Sequence, residues 1–248
     1  MNADTLLLCV LMVFLFAGTI KGLVGIGLPT ATISILSQFI DPRHAIALLI
    51  FPAIVTNAWQ VYRSRYFTKG IKELWPFASM LAVTIWIFAL FAAHVSTDDL
   101  VFGVGLVIVV FVLTSLMAKP IAFPKHIDRP LQLFAGATAG IMGGLTSIWS
   151  PPMVIYLLAR RQQSSEFVGA SGFLILSGTL PLLAGYWQAG LITPALAGQS
   201  ALMIVPTLFG FAIGEKLRTL FKGDQFRHAV LAIFLLMGMN LIRKAFVY

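Results

Sequence analysis

Polar residues cluster along this chain, and long apolar runs separate the clusters. The runs fall at roughly 5–40, 45–62, 74–93, 100–118, 131–159, 167–187, 195–214 and 229–246, giving eight units. The first and fifth are interrupted by glycine and proline. Roughly 20 helical residues cross a bilayer core. The runs are continuously apolar rather than alternating, which predicts membrane helices and not a barrel. The expected fold class is all-α integral membrane, with about 8–10 membrane segments. Each interrupted unit is expected to be a broken helix or a helical hairpin.

The interruptions repeat. Ala17-Gly18-x-x-x-Gly22-x-x-Gly25 recurs as Ala135-Gly136-x-x-x-Gly140-x-x-Gly143, and a proline follows each copy, Pro29 in the first and Pro151-Pro152 in the second. Phe102 to Lys119 also resembles Phe226 to Arg243. The pattern predicts a first repeat over 1–119, a cytoplasmic linker over 120–129 and an inverted second repeat over 130–248, each repeat an interrupted unit plus three transmembrane helices. Together they form a single membrane domain. Internal repeats of opposite orientation, with broken helices near the midplane, are a common build of secondary transporters. The matched glycines also suit plain helix packing.

Composition agrees with a lipid-covered surface. Of 248 residues, 59% are hydrophobic and 10% charged, against about 25% charged in soluble domains. The pI of about 9.9 does not indicate nucleic acid, because Lys and Arg concentrate in 62–72, 119–129, 160–165 and 215–228. The excess of positive charge on the cytoplasmic side of membrane proteins places these four stretches inside. It leaves Arg43, Arg243, Lys244 and the Asp98–Asp99 pair outside. Both termini are then expected outside the inner membrane. The N-terminal run resembles a secretory signal but carries Asp4 and no basic start, so a retained helix is expected. Cys9 is alone, excludes an intramolecular disulfide, and is expected in the core.

The breaks carry the candidate chemistry. Gly22, Gly25, Gly27 and Pro29 cannot form a stable continuous helix. A half-helix is predicted to start at Leu28–Pro29 and run toward Gln38. In the second break Ser150 is the expected N-cap and Pro151 the first helical residue, with the half-helix running toward Leu158. Helix N-termini offer free N–H groups and partial positive charge, which suit an anion. Thr30, Thr146, Ser147 and Ser150 add hydroxyl donors, while Gly143 and Gly144 let backbone approach a ligand. No carboxylate lies within a span, which disfavours a cation site. Lys21 either balances an anion's charge or snorkels to the interface. Asn57 and Gln60 either line a path or bond helix to helix. Trp59, Tyr62, Tyr186 and Trp187 are expected in interfacial belts. The expected binding set is Lys21, Gly22, Gly25, Gly27, Pro29, Thr30, Asn57, Gly143, Gly144, Thr146, Ser147, Ser150 and Pro151. No His-Glu-x-x-His or Gly-x-Ser-x-Gly occurs and no histidine is mid-span, so an intramembrane enzyme is disfavoured. No cofactor is indicated. A passive channel shares the same site physics and stays open, as does the role of an accessory subunit.

At Gly22-Leu-Val-Gly25-Ile-Gly27 with Pro29, at Asp41-Pro-Arg43 before a span ending in Tyr62-Arg63, and at Gly143-Gly144 before Pro151-Pro152, the chain resembles the sulfite exporter TauE/SafE (TSUP) family of anion permeases. It departs at Leu28, where a further glycine is common, and in a stretched second break. The resemblance covers essentially the whole chain. It implies transport of sulfite, an organosulfonate such as sulfoacetate, or thiosulfate across a bacterial inner membrane. The partners it implies are that small sulfur-containing anion and the lipid bilayer. A coupling proton and a homodimer remain open.

Overall fold

The computed structural model describes residues 3–117, 124–160, 164–220 and 224–247, and every regular element among them is helical. In chain order these are α1 (Ala3–Val24), α2 (Leu28–Leu36), α3 (Pro42–Ser64), α4 (Phe67–Phe91), α5 (Thr97–Met117), a 3-10 turn (Lys125–Ile127), α6 (Asp128–Thr146), α7 (Ser150–Ala159), α8 (Ser164–Gln188), α9 (Pro194–Leu202), α10 (Ile204–Leu220) and α11 (Asp224–Val247). Among the described residues, six helical stretches are long and apolar enough to cross a bilayer. Many large apolar side chains point outward, such as Phe134, Phe209 and Leu236. Water would not tolerate so much exposed apolar surface, so the molecule is a multi-pass membrane protein. Residues 120–123 of the expected linker, together with Lys119, Arg161 and Lys222, lie outside the described residues.

Helices overrun the apolar runs. The expected loop 62–72 shrinks to Arg65 and Tyr66, with Arg65 in the left-handed region at φ 53. Lys69, Lys72 and Glu73 therefore sit on the first turns of α4. Hydropathy marks where lipid ends, whereas backbone hydrogen bonding continues the helix beyond it. The run 195–214 is two helices, not one. Pro206 lacks the N–H that Leu202 would accept, and the chain breaks at Met203.

Packing crosses between the two parts of the chain. Gly18 and Gly22 of α1 press on the main chain of Thr207 and Phe211, while Gly210 and Gly214 of α10 press on Leu15 and Thr19. α1 therefore runs parallel to α10, backbone against backbone. A Cβ at any of these four glycines would overlap main-chain atoms. Gly136, Gly140 and Gly144 of α6 lie in the same way along Phe77–Ala89 of α4, so α6 runs parallel to α4. The repeated glycine pattern thus serves helix packing in both copies. α8 also runs with α4, because Gly70 meets Phe173 and Gly185 meets Ala89. α3 runs with α9 and α10. Ser200 Oγ donates to Leu48 O at one end, and Arg63 Nη1 pairs with Glu215 at the other.

Two expectations about individual side chains fail. Tyr186 is fully buried rather than interfacial, since it lies near Asp41 and Arg43 at the start of α3. Trp59, Tyr62 and Trp187 are exposed. Cys9 is exposed rather than in the core. α1 is apolar all round, so its sequence does not mark which face turns inward.

Candidate functional site

The first break forms where three glycines and a proline predict it. Gly25 N–H still reaches Lys21 O at 2.7 Å, closing α1. Gly25 and Gly27 then adopt φ 87 and φ 102, conformations that L side chains rarely take. Pro29 enters the first turn of α2, where its missing N–H costs nothing. Ala31 N–H bonds Gly27 O at 2.8 Å. The N–H groups of Leu28 and Thr30 have no carbonyl within the helix to accept them. Thr30 Oγ1 is buried without a partner among the described residues, as is Thr32 Oγ1 two residues on, on the opposite side of α2.

Lys21 lies just before this break and has no exposure. Its Nζ donates to Asn57 Oδ1 at 2.6 Å, and Asn57 Nδ2 donates to Ala53 O at 2.7 Å. The snorkelling alternative therefore fails: Asn57 captures the ammonium inside the bundle. Asn57 stands about 22 Å along α3 from its start at 1.5 Å per residue. Its neighbour Gln60 uses Nε2 on Val168 O and Ser171 Oγ, tying α3 to α8, while its Oε1 stays buried and unpartnered.

A cavity of about 260 Å³ lies beside Lys21, lined by Lys21, Gly22, Gly25, Gln60, Arg63, Ser64, Val168, Phe211, Glu215 and Arg218. Arg63 Nη1 meets Glu215 Oε2 at 2.6 Å and joins the end of α3 to α10. That pair neutralises itself, which leaves Lys21 and Arg218 as the other charged groups on the wall. The cavity brings together Lys21, Gly22 and Gly25 from the expected set, with Asn57 directly behind Lys21. Gly27, Pro29 and Thr30 begin the adjacent helix. Arg63, Glu215, Arg218 and Phe211 were not singled out from sequence. Their signal is weak there, since charges at span ends read as topology markers.

The second break is built differently. Ser147 takes the left-handed conformation at φ 59, and its N–H bonds Gly143 O at 2.7 Å. Thr146 Oγ1 donates to Met142 O and accepts from Ile148 N–H. The expected N-cap shifts by one residue. Trp149 is the N-cap and Ser150 the first helical residue, and no side chain caps the helix. Two successive prolines fix the backbone from 151 onward, so α7 starts one residue ahead of them, in the place favourable for proline in the first turn. Gly143 lies against the Trp149 ring and Gly144 against α4. Thr146, Ser147, Ser150 and Pro151 are buried but do not line the Lys21 cavity. α2 packs on α1, α3, α5 and α11, and α7 on α5, α6 and α8, so both short helices touch α5.

The bundle thus holds two broken helices and a buried lysine whose partner is a neutral amide. Comparison with protein families decides where it belongs: the family described as sulfite exporter TauE/SafE matches residues 10–241. The chain belongs to the TauE/SafE family. It is a membrane transporter of that family, and the match spans both breaks and every residue of the Lys21 cavity. No curated protein and no solved structure matches it. The TauE/SafE match thus fixes the class of protein, and the side chains around Lys21 carry what can be said of its site.

Proposed function

We propose that this protein is a secondary transporter that carries a small oxyanion across the inner membrane by alternating access. The substrate is sulfite, an organosulfonate such as sulfoacetate, or thiosulfate. The observation that carries this reading is Lys21, a fully buried lysine whose partner is a neutral amide, on the wall of a cavity. A buried cation is costly unless it is paired, and an anionic substrate supplies the pair. Just beyond the cavity wall at Gly25 in the chain, the start of α2 carries further donors for an oxyanion in the Leu28 and Thr30 N–H groups and the Thr30 hydroxyl.

The two parts of the chain are read as inverted repeats, 1–119 and 130–248, joined through 120–129. Support comes from the exchanged helix pairs: α1 with α10 and α6 with α4, α3 with α10 and α8 with α4. α3 and α4 join through a two-residue turn, so they run in opposite senses. α1 and α6 then enter from opposite faces. Gly143, Gly144, Thr146, Ser147, Ser150 and Pro151 form the second break, which we assign to the opposite wall of the path. The end bearing Arg63 and Arg218 is cytoplasmic on the charge rule, so the Lys21 cavity opens inward and both termini lie outside.

Radiolabelled sulfite, sulfoacetate and thiosulfate flux into proteoliposomes, with and without a pH gradient, tests the proposal. Saturable flux with competition between oxyanions is expected. Lys21→Gln is expected to reduce it by at least about tenfold, equal to about 1.4 kcal/mol of lost anion stabilisation. Unsaturable flux would identify a channel, and no flux from folded protein would end the anion-transport assignment.

A further inference from the structure

Lys21 faces an unusual set of neighbours. α3 presents Asn57 and Gln60, which do not titrate, and Arg63 at the mouth. α10 presents Glu215, already paired with Arg63, and Arg218. α8 presents Val168 to the cavity, and its Glu166 is paired with Lys69. α2 contains no titratable residue. No carboxylate among the described residues lies within 4.0 Å of Lys21 Nζ. The side chain is fully buried, and the cavity beside it can admit water and a small anion.

An ammonium in such a place has two stable conditions. With an anion beside it, the pair is neutral and the proton stays. Without one, the neutral amine is favoured, and Asn57 Oδ1 still accepts one of its N–H groups. Building on the anion-transport reading above, we propose that Lys21 is the proton-coupling site, and that the substrate class is a singly charged oxyanion taken up together with a proton on Lys21. On loading, a proton from water bonds to the Nζ lone pair as the monoanion enters. On release, the anion leaves and Nζ returns the proton to water on that side. Loaded and empty sites are both uncharged, so transport moves no net charge. A dianion would leave one negative charge unbalanced against Lys21, the fully buried cation of the cavity, because Arg218 is exposed and Arg63 is paired with Glu215, so dianions are poor substrates.

The experiment uses the intact protein in liposomes that hold a pH-sensitive dye. Methanesulfonate is the probe, because it is a monoanion that carries no proton of its own near neutral pH. The expected result is that inward methanesulfonate flux acidifies the lumen in proportion to uptake. The initial rate should be unchanged when a potassium ionophore sets the membrane potential to either sign. Sulfate, a dianion, should move at least tenfold more slowly. Lys21→Arg keeps the charge but cannot release its proton, and should abolish lumen acidification whether or not residual uptake persists. Methanesulfonate uptake without acidification, or uptake driven by membrane potential in the wild type, overturns the coupling proposal and leaves the anion-transport reading standing. Flux of sulfite with none of methanesulfonate also overturns it, since one ammonium must then not be the selecting feature. No flux of any of these anions takes down both.

Discussion

At the scale of single residues, the contact between Lys21 and Asn57 sets the character of the site. A carboxylate in place of the amide would change it most directly. Asn57→Asp gives Lys21 a permanent counter-ion, and the buried pair would compete with any substrate anion. The variant should remain folded, with a melting temperature in detergent no lower than the wild type, while oxyanion uptake falls by at least about tenfold, equal to about 1.4 kcal/mol of lost binding. A variant that transports normally would show that Lys21 does not meet the anion. Both residues were expected at the site, but their contact was not legible along the chain. Asn57 lies 36 positions from Lys21, and an apolar helix such as α1 carries no periodic mark of its inner face. The Arg63–Glu215 contact, 152 positions apart, was hidden for the same reason. The breaks were legible, because glycine and proline act locally on the backbone. Leu28–Pro29 starts α2 as expected, and the one-residue error at Ser150 arose because proline fixes its own φ but not which preceding residue caps the helix.

At the scale of elements, glycines decide which helices can touch. Gly214 of α10 sits against Thr19 O and Leu23 N of α1. A large side chain there must push the two backbones apart along their whole contact. Gly214→Leu should destabilise the protein by about 3 kcal/mol or more, the scale of severe overpacking, read as loss of monodisperse protein after detergent extraction. Gly198→Ala is the matched control, because nothing lies within 4 Å of a Cβ at that position, and it should extract like the wild type. The glycine spacing was visible in the sequence as a repeat, yet its partners were not. A small residue tells that something approaches closely, but not what approaches. Span boundaries were legible to within several residues, since hydropathy reports lipid contact and not the hydrogen bonding that carries α4 back to Phe67.

At the scale of the molecule, helix directions and charge placement make one topology. α4 and α8 end together, as Trp86 Nε1 donates to Gln188 Oε1 at 3.0 Å. The turns after them, at Ser96 and Gly190, therefore share one face, and Ser64 and Arg65 lie on the other. In a Cys9→Ala background, Ser96→Cys and Gly190→Cys should react with a membrane-impermeant maleimide added to intact spheroplasts, whereas Arg65→Cys should react only after permeabilisation. The reverse labelling would invert the orientation and open the Lys21 cavity to the outside. The eight-unit plan and the family resemblance were both available from the sequence, and the match over 10–241 bears the family out. The exchange of partners between the two parts of the chain was not available, because it depends on which faces meet in three dimensions.

The seam between α1 and α10 also bears on how the chain is made. α1 leaves the ribosome well before α10, yet the backbone groove that Gly18 and Gly22 offer is filled only by α10, about 180 residues later in the chain. Lys21 has to enter the bilayer before most of the walls that enclose it exist. The nascent first part must therefore stay beside the insertion machinery, sheltered by something other than its final neighbours, until α10 arrives. Folding of α1 is tied to the synthesis of α10, and a ribosome that stops short of α10 leaves a membrane fragment with an unpartnered glycine stripe and a stranded lysine, a clear target for membrane proteases.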